Sequence, residues 1–107
     1  FQNTTIGVII TNAKLSKQNA SAVAKIASNS LTKAISPGQT IYDGDIVFTL
    51  ASGKIEVDYY TVGLMAEEML IKAIIRAVTT AKEVKGIPSF VSLRKSASHI
   101  RKTFKEN

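Results

Sequence analysis

From Thr5 to Thr11 the chain reads Thr-Ile-Gly-Val-Ile-Ile-Thr, β-branched and apolar without the alternation of a half-buried strand. Continuous apolarity over so short a run predicts a strand covered on both faces, at the centre of a sheet. Asn12 and Ala13 turn the chain, and Ser16 is placed to cap a helix from about Lys17 to Ala34. Within it Ala20, Val23, Ala24, Ala27, Leu31, Ala34 and Ile35 recur at three- and four-residue spacing, so one stripe is apolar, with Lys17, Lys25 and Ser28 off it. That face packs on a sheet.

Ser36-Pro37-Gly38 ends the helix, because Pro lacks an amide donor and Gly accepts a left-handed backbone. A loop through Gln39 and Thr40 leads to Tyr42-Asp43-Gly44-Asp45. Ile46 to Ala51 is then a second buried strand, closed by Ser52-Gly53-Lys54. Ile55 to Tyr59 reads as a brief edge segment before a long helix from about Tyr60 to Val84. Leu64, Met65, Leu70, Ile71, Ile74, Ile75, Val78 and Ala81 spread over a wide arc of that helix. Glu68, Lys72 and Arg76 form a charged ridge, with Glu68 and Lys72 paired at i,i+4. So broad an apolar arc predicts cover on more than one side, by the sheet and by another subunit or a missing segment. Gly86-Ile87-Pro88-Ser89 breaks the pattern, and Ser92 to Phe104 forms a short basic helix. The order strand, helix, strand, helix predicts an α/β layered domain. Two strands alone make a thin sheet with bare edges, so more strands are expected from elsewhere.

A length of 107 residues bounds the chain to one small domain or part of one. It opens on Phe, with its first strand almost at once, which fits a piece of a longer polypeptide. The absence of Cys removes disulfide and thiolate chemistry. Of the net charge of +6, most sits after Leu93, where Arg94, Lys95, Arg101, Lys102 and Lys105 face one acid, Glu106. The reading is therefore a body over residues 1–93 and a basic tail over 94–107, and such a tail is usually a solvated terminus. No apolar run reaches the roughly 18 residues of a membrane span and no leader pattern opens the chain, so a cytoplasmic protein with no membrane partner is expected.

Candidate chemistry is sparse. Asp43 and Asp45 flank one Gly, and in extended geometry both carboxylates project from one face, where they can position a neighbouring hydroxyl or ammonium. Asp-Gly-Asp is equally a common turn, and it resembles the start of a calcium loop whose remaining ligands are absent. Thr4 stands at the mouth of the first strand. Cut between Asn3 and Thr4, it would carry a hydroxyl nucleophile and a free amine on one residue; uncut, it is an ordinary strand threonine. His99, inside the basic tail, reads as a surface residue. Neither a phosphate-binding glycine fingerprint nor a metal-ligand cluster is present, so no cofactor and no metal are expected. Aromatic residues do not interleave with the cations, which argues against a nucleic-acid partner.

Two motifs together narrow this. Asn3-Thr4-Thr5-Ile6-Gly7-Val8-Ile9-Ile10-Thr11-Asn12-Ala13-Lys14-Leu15 and Tyr42-Asp43-Gly44-Asp45-Ile46-Val47-Phe48 resemble the C-terminal, or β, portion of the L-aminopeptidase/D-esterase (DmpA-type) family, over about residues 2 to 90. That family includes β-peptidyl aminopeptidases, 6-aminohexanoate-oligomer hydrolases and a pantetheine hydrolase. The resemblance implies a four-layer α/β/β/α sandwich and a precursor that cleaves itself at Asn3-Thr4, leaving Thr4 as an N-terminal nucleophile. It further implies that Asp43 and Asp45 support Thr4, as acids do in the oligomer-hydrolase branch. The implied partners are a companion α portion carrying the remaining catalytic groups, a peptide or related amide substrate, and other αβ units in a homo-oligomer. Two other readings stand beside it: an acyl transferase like the ornithine acetyltransferases, whose residues before the Thr differ from Gln2-Asn3, and a noncatalytic binding module with a basic tail.

Overall fold

The computed structural model describes residues 4–40 and 43–106, the last four of these by backbone alone. The element order is β1 (Ile6–Ala13), α1 (Lys17–Ala27), α2 (Asn29–Ala34), β2 (Ile46–Ile55), α3 (Tyr59–Thr80) and α4 (Phe90–Glu106). This is a small mixed α/β fold in which β1 and β2 pair in parallel, from Ile6 opposite Ile46 to Thr11 opposite Ala51. Parallel pairing is what a strand, helical crossover, strand order requires.

Ser16 caps α1 as expected, its hydroxyl accepting from Asn19 N at 3.0 Å. The single helix predicted to Ala34 is instead two, parted at Ser28. Ser28-Asn29-Ser30 explains the break, since short polar side chains compete for helix backbone groups; Ser28 Oγ donates to the Lys25 carbonyl at 2.6 Å. Ser52-Gly53-Lys54 does not close β2. Those residues bulge, with Gly53 left-handed at φ 77°, and pairing resumes where Ile55 faces Ala13. The edge segment predicted over Ile55 to Tyr59 is thus reduced to the strand's last residue and a linker in which Asp58 caps α3 through Thr61 N, 3.1 Å away.

The protein divides into two units, Phe1–Lys72 and Ala73–Asn107, with α3 running across the division. In the first, Ile9 and Ala13 of β1, Val23 and Ala27 of α1, Leu31 of α2 and Val62, Ala66 and Leu70 of α3 make the core. All of it lies on one face of the sheet. The opposite face is bare: Ile6, Val8 and Ile10 of β1 and Ile46, Phe48 and Leu50 of β2 are exposed, Ile10 by 80%. The expectation that both strands are covered on both faces therefore fails within this chain, where one face only is covered.

The first turns of α3 press against α1 at Gly63, where an added Cβ would meet Ile26 at 2.7 Å from Cδ1 and 3.1 Å from Cβ. The Ile26 tip can swing away, but its Cβ moves only with α1. Overpacking of this kind costs about 1–3 kcal/mol, whereas replacing a helical Gly by a better helix former returns at most about 1 kcal/mol. Gly63→Leu should accordingly lower the urea midpoint of the full-length protein. A midpoint unchanged or raised would mean that the two helices separate freely. Beside this contact Glu67, buried on α3, pairs with Lys33 of α2. The sequence reading did not single it out. The expected Glu68–Lys72 pair is present at 3.7 Å on the surface.

In the second unit α3 ends at Thr80, before the predicted Val84, with the hydroxyls of Thr79 and Thr80 both turned back onto the Arg76 carbonyl. Val84 and Ile87 then bridge a tight turn whose central residues, Lys85 and Gly86, have φ of 49° and 81°. Ser89 and Ser92 cap α4 reciprocally, each backbone amide donating to the other's hydroxyl at 2.8 and 3.1 Å. The basic helix consequently starts two residues before the predicted Ser92. Arg94 lies over the Phe90 ring, 5.8 Å from its centroid. Among the described residues no helix is long and apolar enough to cross a membrane.

Candidate active site

Because the strands are parallel, their amino ends lie together, and the two sequence motifs meet there. Ile46 N donates to the Thr5 carbonyl at 3.0 Å, so continuing the register backwards sets Thr5 beside Asp45 and Thr4 beside Gly44. Side-chain contacts bear this out. Asp45 Oδ1 accepts from Thr5 N at 2.8 Å, adding one side-chain rung to the ladder. Thr4 Oγ1 lies so near Gly44 that a Cβ built there would stand 3.3 Å from it.

Both carboxylates are half-buried and turned toward the loop that follows α2, while Gly44 between them is exposed. Asp45 Oδ2 accepts from Gln39 N at 3.3 Å. Asp43 Oδ2 accepts from Thr40 N at 2.9 Å and from Thr40 Oγ1 at 2.8 Å. Two consecutive backbone amides thus orient the two acids. Each carboxylate has lone pairs beyond those used in these bonds, so the pair can still receive an ammonium or a hydroxyl.

Thr4 itself is exposed at the end of β1. Of the residues tied to it in the sequence, Asn3 lies outside the described residues, as do Phe1, Gln2 and Tyr42. His99 is an exposed residue of α4, in the other unit. Gln39 and Thr40, which anchor the acids, passed in the sequence as plain loop residues. The one signal that could have found them is position, since they directly precede an acid pair and follow Pro37-Gly38.

A cleft of about 370 Å³ adjoins Asp45 on the helical side, lined by Ser21, Ser28, Leu31, Gln39, Asp45 and Val47 among others. Open parallel sheets usually bind ligands beyond their carboxyl ends. Thr4 and the Asp43-Gly44-Asp45 turn are instead at the amino ends.

Comparison with known proteins places the chain in a family. Residues 1–90 match the sequence profile of peptidase family S58. The chain is 36% identical over 106 residues to an uncharacterized aminopeptidase of Mycobacterium leprae, a match covering 85% of the chain and 29% of that protein. Uncharacterized aminopeptidases of Mycobacterium bovis and Mycobacterium tuberculosis are each 35% identical over 103 residues, covering 82% of the chain and 30% of the relative. The chain therefore spans about three-tenths of the length of these relatives. With both motifs inside the matched segment, the chain belongs to peptidase family S58, the family of the L-aminopeptidase/D-esterase (DmpA-type) proteins.

Proposed function

We propose that this chain is the β portion of a self-processing N-terminal-nucleophile hydrolase that cleaves amino-terminal peptide or related amide bonds. The observation that carries the reading is the meeting of Thr4 with Gly44, and of Thr5 with Asp45, at the shared amino end of β1 and β2. Membership of a peptidase family, and relatives named as aminopeptidases, support the reaction class.

In the first step Thr4 Oγ attacks the Asn3 carbonyl, the C–N bond breaks as the acyl group passes from nitrogen to oxygen, and water hydrolyses the resulting ester. The products are an Asn3 carboxylate and a Thr4 with a free α-amine. An α-amine has a reference pKa of about 7.7 to 8.0, so at neutral pH it can take the Thr4 hydroxyl proton when a substrate carbonyl arrives. Acylation of Thr4 expels the substrate's amine, and a second water releases the acid. In this scheme Asp43 and Asp45 hold the hydroxyl and the ammonium in place, and Asp45 is bonded to Thr5 N at the strand end. Asp43 and Asp45 rather than other polar residues favour the oligomer-hydrolase-like branch.

The same reading accounts for the bare sheet face. A companion portion, supplied from the length by which the relatives exceed this chain, would lay a second sheet on Ile6, Val8, Ile10, Ile46, Phe48 and Leu50 and complete a four-layer α/β/β/α sandwich. Exposed Leu64, Met65 and Met69 of α3 suit contact with further αβ units. Intact mass and N-terminal sequencing of the purified full-length protein test the proposal. The expected result is two co-purifying chains, the smaller beginning at Thr4. A single uncut chain that hydrolyses amides would sink it.

A further inference from the structure

Gln39 is conspicuous on backbone grounds. Its φ of 53° is left-handed, a conformation uncommon for any residue but Gly, Asn or Asp. Three bonds surround it. Its N–H reaches Asp45 Oδ2 at 3.3 Å, the other oxygen of that carboxylate holds Thr5 N at 2.8 Å, and its side-chain Nε2 donates to the Ser28 carbonyl at 3.0 Å. Ser28 is the junction between α1 and α2, so the chain of bonds runs from the helical layer to the residue after Thr4. Thr40, next in line, donates its N–H to Asp43 at 2.9 Å. The φ of Gln39 thus lies between the two amides that hold the two acids.

We infer that Gln39 is a positioning residue for the Thr4 hydroxyl, its left-handed backbone aiming loop amides at Asp43 and Asp45. The inference rests on the proposed role of Thr4 as nucleophile. A rotation at Gln39 would release Asp45 from its amide, loosen the Thr5 amide and let the strand end drift, carrying Thr4 Oγ1 away from Gly44.

Two variants of the full-length precursor separate this role from a contribution to folding. Gln39→Val disfavours positive φ, while Gln39→Gly accepts it and keeps the N–H but drops the bond to Ser28. Self-cleavage at Asn3-Thr4 is followed in time, since its first-order rate constant reports geometry and its final extent reports the folded fraction. Gln39→Val should slow the rate constant about 10- to 100-fold, the scale on which small misplacements act, and lower kcat for amide hydrolysis with KM little changed. Gln39→Gly should recover most of both. The inference is overturned if Gln39→Val changes only the final extent, if its rate constant equals that of the parent, or if Gln39→Gly is as slow as Gln39→Val. Thr4→Ala is the control: a Thr4→Ala precursor that still cleaves removes the reading beneath, whereas an inert one beside an unimpaired Gln39→Val removes this inference alone.

Discussion

Thr4→Ala in the full-length precursor should abolish both self-cleavage and amide hydrolysis, leaving one intact chain on a denaturing gel. The size of the effect follows from what is removed. A nucleophile is not one stabilising contact among several but the atom that bonds to the substrate, and loss of such a group in other hydrolases costs about six orders of magnitude in kcat. Thr4→Ser keeps the hydroxyl and should cleave and turn over. The fold is untouched by either change, because Thr4 is exposed and its neighbours on the ladder, Thr5 with Asp45 and Ile6 with Ile46, bond through Thr5 and the strand backbones. Circular dichroism should accordingly be the same for all three proteins. Cleavage or hydrolysis by a folded Thr4→Ala protein would show that the nucleophile is elsewhere.

How far the sequence told this in advance depends on the range of the interaction. Local signals were legible: Ser16 as a cap, the Pro37-Gly38 stop, the Glu68 and Lys72 pair and the two apolar runs each depend on residues a few positions apart. The break at Ser28 was obscured because the apolar stripe continues through Leu31, and periodicity records burial, not continuity of the hydrogen-bond ladder. Pairing across Gly53 was hidden for a similar reason, since a left-handed glycine within a bulge and one that ends a strand look alike. At the site, Thr4 and Asp43 to Asp45 were found as two motifs, but no rule of spacing joins positions some forty residues apart. Parallel pairing joins them, and the family resemblance had already put them together. Gln39 was invisible because its part is played mostly by its backbone, which carries no residue signature.

The exposed sheet face yields the other large expected effect. Val8 and Phe48 are partners in the parallel register, at the middle of that face, and Phe48 is 50% exposed. In this chain alone, Val8→Asp with Phe48→Asp puts two carboxylates in water and should leave the strands, α1 and the start of α3 in place, because the core lies on the other side. If a companion portion covers the face, the same substitutions bury two neighbouring like charges with no cation among the facing residues of this chain. Burial of a large apolar side chain contributes about 1.5–3 kcal/mol, so both are forfeited. Several kcal/mol of desolvation cost per ion is added, and the total rivals the 5–15 kcal/mol that holds a typical domain together. The full-length double variant should therefore fail to pack its two portions together, staying uncut and eluting as an expanded or aggregated species on size-exclusion chromatography. A control such as Lys14→Asp, on an exposed residue past the end of β1, should assemble normally. Assembly and cleavage by the double variant at parental levels would leave the face in water in the whole protein and remove the second sheet from the proposed architecture.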